Sequence, residues 1–306
     1  MEIYQVLDIP YGQAGNRTLA MDMVLPGESR EEAIPAVLWL HGGGWYSGNK
    51  RNVIASGMLD CLPQAGFALV SAEYRLSGEA LFPAQIHDVK AALRFLRANA
   101  AALGIDAERI AVAGFSAGAH LAALAATSQG VADLEGDCGS AGYSTCVAAA
   151  MILAAPTDFL RNPRATDPAL NPHAAAGHPC AEHLLLGGPV LERVEGARQA
   201  NPLHYIGPDM PPCLIVHGRE DEIVPLTQAE LLYGALKDAN AEVTFLEVED
   251  GNHGFWEAGQ PYPREPLPPL IRQWIVQFLQ KHLQNRAGFS LPDRHTVRVA
   301  QLRAAN

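Results

Sequence analysis

The chain has 306 residues, 48% hydrophobic and 18% charged, a composition typical of a globular protein with a large buried core. Its formal net charge of −11 argues against nucleic acid or an anionic membrane surface as the main partner, because both require a basic footprint. No apolar run is long enough to span a membrane, and the N-terminal residues MEIYQVLDIPYG lack the basic and apolar segments of a signal peptide, so we expect a cytoplasmic protein.

Strand and helix patterns alternate along the chain. Residues 2–7 and 19–24 alternate in polarity like half-buried antiparallel strands, and the apolar runs 36–40 and 67–72 indicate fully buried strands. Further strand patterns lie at 109–114, 147–153, 213–217 and 243–248, and helical patterns open at Pro83 or cover 117–127, 226–238 and 268–284. This order predicts an α/β fold, with a mostly parallel sheet, made mixed by its N-terminal strands, and helices on both faces.

Three segments interrupt this alternation. Residues 129–146 are rich in Gly, Ser and Asp, and residues 157–211 are rich in Pro, His and Ala. Irregular segments of this length inside a compact domain are usually lids or binding loops, so we expect a single domain over 1–285 with both segments as lid or pocket-wall insertions. Residues 286–306 indicate a C-terminal extension beyond the core. The sequence leaves open whether it is a disordered tail or an arm on the core or on a neighbouring subunit of a homo-oligomer.

The sequence GFSAG at residues 114–118 joins a predicted strand directly to a predicted helix. This is the context of a nucleophile elbow, a tight turn that exposes a serine hydroxyl above the sheet. Gly114 and Gly118 fit the turn because the strand and helix crowd together there. We therefore predict that Ser116 is a nucleophile placed at the positive end of the following helix.

The sequence HGGGW at residues 41–45 follows the third predicted strand. Acyl transfer requires backbone N–H groups directed at the developing oxyanion, and consecutive glycines let a substrate approach them. We assign these donors to Gly43, Gly44 and Ala117. A phosphate-binding turn is the alternative, but the accompanying lysine and serine of such turns are missing. His41 is expected to hydrogen-bond within the turn rather than to act as a base.

An acid and a histidine follow the serine in the chain. Asp221 lies in the loop HGREDEIVP at residues 217–225, and His253 lies in DGNHGF at residues 250–255, each after a predicted strand. Serine, acid and histidine in this order are typical of α/β-hydrolases. We expect His253 to take the proton of Ser116 while Asp221 orients the imidazole.

Other polar and aromatic residues give weaker signals. Trp45 and Tyr46 are candidates for binding the acyl or alcohol part of a substrate, although core packing explains them equally well. No metal site is expected, because one cluster of potential ligands has a spacing that fits no standard zinc site: His173, His178, Cys180 and His183. The five cysteines form no disulfide framework, although Cys138 and Cys146 bracket a Gly/Ser-rich stretch and are left open as a pair.

Taken together, these motifs resemble the α/β-hydrolase superfamily, in particular the bacterial carbohydrate acetyl and feruloyl esterases and the hormone-sensitive-lipase-like carboxylesterases. Besides HGGGW and GFSAGAH, the resemblance is carried by EYRLSGEALFPAQIHD (73–88), PTDF (156–159) and HGREDEIVPLTQAELLYGALK (217–237). The D-P-L-x-D acid motif of the lipase-like branch is missing. The resemblance implies an α/β-hydrolase fold and a serine ester hydrolase that needs no metal or cofactor.

The sequence therefore predicts a carboxylesterase that acts through an acyl-enzyme on short-chain or aromatic acyl esters, of which sugars or other bulky alcohols are the candidate alcohol half. An arylformamidase or a lipase of the same fold is an alternative, but no strongly apolar lid helix favours long-chain lipids. A catalytically inactive hydrolase-like binding protein is the alternative from another class. The complete set of Ser116, Asp221 and His253 argues against it.

Overall fold

A computed structural model describes residues 3–27, 32–171, 179–259, 267–286 and 292–303. Within these ranges nine strands form one sheet: β1 (Ile3–Ala14), β2 (Arg17–Pro26), β3 (Ile34–Leu40), β4 (Ala68–Ala72), β5 (Ile105–Phe115), β6 (Ala149–Leu153), β7 (Cys213–Gly218), β8 (Val243–Val248) and β9 (Arg294–Val297). Their order is β1-β2-β4-β3-β5-β6-β7-β8-β9. β2 is antiparallel to both β1 and β4, and all other neighbours are parallel. The predicted mixed sheet is confirmed.

Helices connect most of the strands and cover both faces of the sheet. The α-helices are α1 (Met58–Gln64), α2 (Ala84–Ala98), α3 (Ala100–Leu103), α4 (Ala117–Thr127), α5 (Ala132–Glu135), α6 (Pro163–Thr166), α7 (Ala181–Leu186), α8 (Val194–Gln199), α9 (Thr227–Asp238), α10 (Pro269–Leu283) and α11 (Val299–Arg303). Short 3₁₀ helices lie at Lys50–Ser56, Phe159–Arg161, Pro168–Leu170, Val190–Glu192 and Pro202–Tyr205.

Alternate side chains of each central strand enter two separate cores, one on each face of the sheet. On β3, Leu38 and Leu40 join the core formed with α2, α4 and α9, whereas Val37 and Trp39 join the core formed with α1, α10 and α11. Every residue of β3 is buried, which explains why the strand appears in the sequence as one apolar run. The loops that carry the predicted site residues therefore extend from a sheet that is buried on both faces.

The first predicted insertion, residues 129–146, is anchored to the core by a buried lysine. Lys90 Nζ donates to the Ser128 carbonyl at 2.5 Å and to Glu135 Oε1 at 2.9 Å. The second insertion, residues 157–211, contains α6, α7 and α8.

The sequence also raised a possible cysteine pair, a cluster of potential metal ligands and the question of membrane-spanning segments. Cys138 and Cys146 are free thiols, and Cys138 Sγ donates to the Gln13 carbonyl. His173 and His178 lie outside the described residues. Among the residues that are described, no three potential metal-binding side chains cluster, and no helix is long and apolar enough to cross a membrane.

The C-terminal segment belongs to the sheet. β9 pairs in parallel with β8, and Val297, Val299 and Leu302 are buried in the core beneath α10. Of the alternatives left open for residues 286–306, residues 294–303 form an arm that packs on the core of the same chain. The pattern was missed because the segment has only three buried apolar positions among polar residues.

An ion-pair network holds β9 against the sheet. Arg294 Nη2 lies 2.7 Å from Glu247 Oε2, and Arg219 pairs with the other oxygen of the same carboxylate. Burial alone would raise the pKa of Glu247, but the Arg294 and Arg219 guanidinium groups hold it below its usual value. Glu247 is therefore a buried charge that depends on β9 for one of its partners.

Deletion of residues 292–306 should destabilise the protein. The deletion exposes the apolar surface that Val297, Val299 and Leu302 bury, and it removes Arg294 from Glu247, so we expect the free energy of unfolding to fall by about 3 kcal/mol or more. Urea denaturation followed by circular dichroism measures the change. Deletion of residues 304–306 alone is the control, and an unchanged midpoint for the longer deletion would contradict the assignment of β9.

Candidate active site

Ser116 lies at the junction of β5 and α4 in a backbone conformation that few residues adopt. Its φ is 54° and its ψ is −120°. The Ser116 N–H donates to the Leu153 carbonyl at 2.8 Å, and the Ser116 carbonyl accepts from the His120 N–H at 3.0 Å. Because the surrounding backbone fixes this strained turn, the hydroxyl is exposed at the start of α4.

Two glycines make the junction possible. A Cβ on Gly118 would overlap the backbone carbonyl oxygens of Leu40 and His41, and a Cβ on Gly114 would overlap the backbone of Gly118. All of these contacts are with backbone atoms, which cannot move aside as a flexible side chain can. The crowding that the sequence predicted at both glycines is present.

A chain of hydrogen bonds links the three residues that the sequence singled out. His253 Nε2 lies 3.0 Å from Ser116 Oγ, and His253 Nδ1 lies 2.7 Å from Asp221 Oδ2. The other oxygen of Asp221 accepts the backbone N–H groups of Ile223 and Val224, each at 2.8 Å. The imidazole is thus held between a hydroxyl and a fixed carboxylate.

A second histidine, His217, contacts the same carboxylate and was not singled out from the sequence. His217 Nε2 lies 3.3 Å from Asp221 Oδ2 and 3.0 Å from the Val224 carbonyl oxygen. Because a carbonyl only accepts, Nε2 carries the proton and donates. Burial alone would raise the pKa of Asp221, but His253 and His217 hold it well below its usual range. Asp221 is therefore an ionised carboxylate.

The residues of the three predicted oxyanion donors, Gly43, Gly44 and Ala117, line the same pocket as Ser116. Gly43 has φ 113° and Gly44 has φ 56°, and their loop is closed by Tyr46 and Ser47, whose N–H groups donate to the Gly43 carbonyl at 3.2 and 3.0 Å. Within the described part of the chain, no hydrogen bond engages the N–H groups of Gly43, Gly44 or Ala117. These three amides remain available to a ligand oxygen.

His41 begins this loop and packs against Tyr74. Its ring stacks on Tyr74 with centroids 4.3 Å apart, and the Tyr74 hydroxyl donates to the His41 carbonyl at 2.8 Å. Burial lowers the pKa of His41 to about 4, so the ring is neutral at pH 7. These contacts agree with a structural part for His41 in the turn.

A pocket of about 250 Å³ surrounds the Ser116 hydroxyl. Its lining residues come from the glycine loop, the elbow, the second insertion and the loop after β7: Gly43, Gly44, Trp45, Tyr46, Phe115, Ser116, Ala117, Pro156, Arg164, Asn171, Cys180, Ala181, Glu182, Ile223, Val224 and His253. The second insertion thus forms one wall. Tyr46 is 43% exposed, whereas the Trp45 ring is buried against His120 and Phe159.

A larger cavity of about 530 Å³ adjoins this pocket. Gly43 and Phe115 line both, so the two spaces meet at these residues beside the nucleophile. Trp39, Trp256 and Leu267 give the larger cavity an apolar side. The larger cavity therefore lies beside the pocket of Ser116, and Ser116 itself does not line it.

The sequence matches a known protein family and several esterases. A family model described as BD-FAE matches residues 21–236. Esterase LipQ of Mycobacterium tuberculosis is 32% identical over 252 residues, which cover 82% of this chain and 57% of the relative. Probable carboxylic ester hydrolase LipM of the same organism is 30% identical over 249 residues, which cover 81% of this chain and 56% of the relative. The chain thus spans a little over half the length of these relatives.

One solved structure is similar to this chain over nearly the whole length of both proteins. It is described as a truncated form of a carbohydrate esterase from gut microbiota, with a TM-score of 0.79, 28% identity, and coverage of 92% of this chain and 96% of that chain. The predicted α/β-hydrolase fold is confirmed.

Replacement of Gly118 by alanine should strain the elbow. Because the new Cβ overlaps two backbone carbonyls, we expect Gly118→Ala to lower the free energy of unfolding by about 1–3 kcal/mol or to prevent folding. Gly234→Ala in α9 is the matched control, since a Cβ there meets nothing within 4 Å. Alanine should stabilise that helix by about 0.5–1 kcal/mol. Equal unfolding midpoints for the two variants would refute the crowding argument.

Proposed function

The chain belongs to the BD-FAE family of α/β-hydrolases, and from this premise we propose that it is a serine carboxylic-ester hydrolase that acts through an acyl-enzyme. The observation that carries the proposal is the hydrogen-bonded series from Ser116 Oγ through His253 to Asp221. The esterase relatives support the same reaction class.

The acylation step follows from the contacts of Ser116. His253 Nε2 removes the hydroxyl proton as Oγ attacks the ester carbonyl carbon, and the carbonyl oxygen becomes an oxyanion. The N–H groups of Gly43, Gly44 and Ala117 stabilise its charge. When the tetrahedral intermediate collapses, the bond to the alcohol oxygen breaks, and the proton on His253 passes to the leaving alcohol.

Deacylation repeats this proton transfer with water. His253 takes a proton from a water molecule, whose oxygen attacks the acyl carbon, and the carboxylic acid leaves as Ser116 Oγ recovers the proton. Asp221 holds the imidazole in the tautomer that presents Nε2 to the serine and stabilises the imidazolium of each step.

We further propose that short-chain or aromatic acyl esters are the substrates, with sugars or other bulky alcohols as the second half. The pocket of about 250 Å³ around Ser116, with a cavity of about 530 Å³ beside it, supports a substrate with a bulky group near the scissile ester. The carbohydrate esterase among the similar structures supports a carbohydrate ester.

The first test is hydrolysis of p-nitrophenyl acetate by Ser116→Ala. Loss of the nucleophile should lower kcat by roughly 10⁴-fold or more, because no acyl-enzyme forms. Ser144→Ala, a change at an exposed serine, is the control and should keep the wild-type rate. Equal rates for Ser116→Ala and the native protein would exclude Ser116 as the nucleophile.

A second test concerns the acid. Asp221→Asn should lower kcat by roughly 10⁴-fold, because an amide favours the wrong imidazole tautomer.

The pKa of Asp221 lies well below its usual range, so its carboxylate stays ionised across pH 5–9. The fall of the wild-type kcat on the acid side of this range therefore cannot come from protonation of Asp221. Steady-state kinetics across this range measure both effects. An Asp221→Asn enzyme within tenfold of the native rate would remove Asp221 from the mechanism.

A further inference from the structure

One wall of the nucleophile pocket carries an arginine that the proposed reaction does not use. Arg164, on α6, is half-buried, and its Nη1 donates to the Asp221 backbone carbonyl at 3.0 Å. Within the described part of the chain Arg164 forms no ion pair, and it lines the pocket of Ser116. Because a guanidinium has five N–H donors, most of them remain for a ligand.

A glutamate lines the same wall. Glu182, on α7, is 9% exposed, and each of its oxygens accepts one hydrogen bond. Oε1 accepts from Asn162 Nδ2 at 3.2 Å, and Oε2 accepts from the Cys180 thiol at 2.8 Å. Each carboxylate oxygen keeps a second lone pair. Glu182 is therefore a fixed acceptor at the edge of the pocket.

Asn162 connects the Arg164 backbone to the Glu182 side chain. Asn162 Oδ1 accepts the Arg164 backbone N–H at 3.1 Å, while its Nδ2 donates to Glu182. Arg164 and Glu182 nevertheless form no ion pair with each other in the described structure. Arg164 and Glu182 thus line the same pocket as a donor and an acceptor, and neither forms an ion pair among the described residues.

From this arrangement we infer that Arg164 and Glu182 bind hydroxyl groups of a polyhydroxylated alcohol half, an inference that rests on the proposed ester hydrolysis. A hydroxyl both donates and accepts, so a pair of them satisfies both side chains. An aliphatic alcohol would desolvate the two charges without replacing their hydrogen bonds, and a carboxylate would be repelled by Glu182.

We assign this contact to the alcohol side of the ester because Arg164 and His253 line the same pocket. Arg164 is bonded to the backbone of Asp221, whose side chain orients His253. His253 has to reach the oxygen of the leaving alcohol in order to protonate it. The alcohol half that His253 protonates therefore lies in the pocket that Arg164 lines.

The test compares three acetate esters of six-membered rings: a monoacetate of methyl xylopyranoside, cyclohexyl acetate, and the acetate of 4-hydroxycyclohexanecarboxylic acid. The first carries hydroxyls, the second no polar group and the third a carboxylate. The readout is the ratio of kcat/KM for the xyloside acetate to that for cyclohexyl acetate. This ratio should fall at least about tenfold in Arg164→Gln and in Glu182→Gln, as expected when a buried hydrogen-bonding group loses its partner.

The matched controls are Arg161→Gln and Glu195→Gln, two exposed charges of the same insertion, which should keep the wild-type ratio. Arg164→Lys, which keeps the charge but not the fork of donors, should give an intermediate ratio. Thermal unfolding of each variant checks folding, and if Arg164→Gln does not fold, Arg164→Lys and Glu182→Gln decide the result.

Three outcomes would overturn the inference. An unchanged ratio in Glu182→Gln would show that the hydroxyls are not bound there. An equal loss on all three esters would reduce Arg164 to a residue that positions Asp221. A wild-type preference for the carboxylate ester, lost in Arg164→Gln, would make the site an anion site. In each case hydrolysis of cyclohexyl acetate that depends on Ser116 would leave the proposed function standing, whereas its absence would count against both.

Discussion

The crowded junction between β5 and α4 is the constraint on which the rest of the site depends. Ser116 adopts a positive φ because the backbone of α4 packs directly against β3 and β5, with no space for a Cβ on Gly114 or Gly118. This close approach sets the start of α4 beside the glycine loop after β3, so the Ser116 hydroxyl and the oxyanion amides face the same space. The free-energy cost of the strained backbone at Ser116 is thus offset by the burial of apolar side chains in the two cores on either side of the sheet.

Much of this could be predicted from the sequence because the signals are local. A buried parallel strand is an apolar run, an elbow needs glycines at fixed offsets, and the loops with Asp221 and His253 each follow such a strand. The carboxyl ends of parallel strands lie at one edge of the sheet, so the order of motifs predicted their meeting. The catalytic roles remain predictions that the kinetic tests address.

Features that depend on packing between distant segments could not be predicted in this way. His217 lies near the end of the buried strand β7, and only the folded loop shows that its ring contacts Asp221. Arg164 and Glu182 lie in an insertion without periodicity, and their importance appears only where Asn162 joins them. The Trp45 ring is buried against His120 and Phe159, a packing contact that the local sequence does not show. The strand β9 was missed because four residues with one buried side chain carry no strand pattern.

The position of β9 also affects how the protein meets other copies of itself. Without it, β8 would present a row of unpaired N–H and C=O groups beside apolar side chains, and such an edge recruits strands from other molecules. β9 covers that edge with a short strand whose first three residues, including Arg294 and His295, are exposed. A charged, four-residue edge is a poor template for a further strand. β9 therefore leaves little exposed backbone for strand addition at this side of the sheet, and β1 forms the opposite edge of the described sheet.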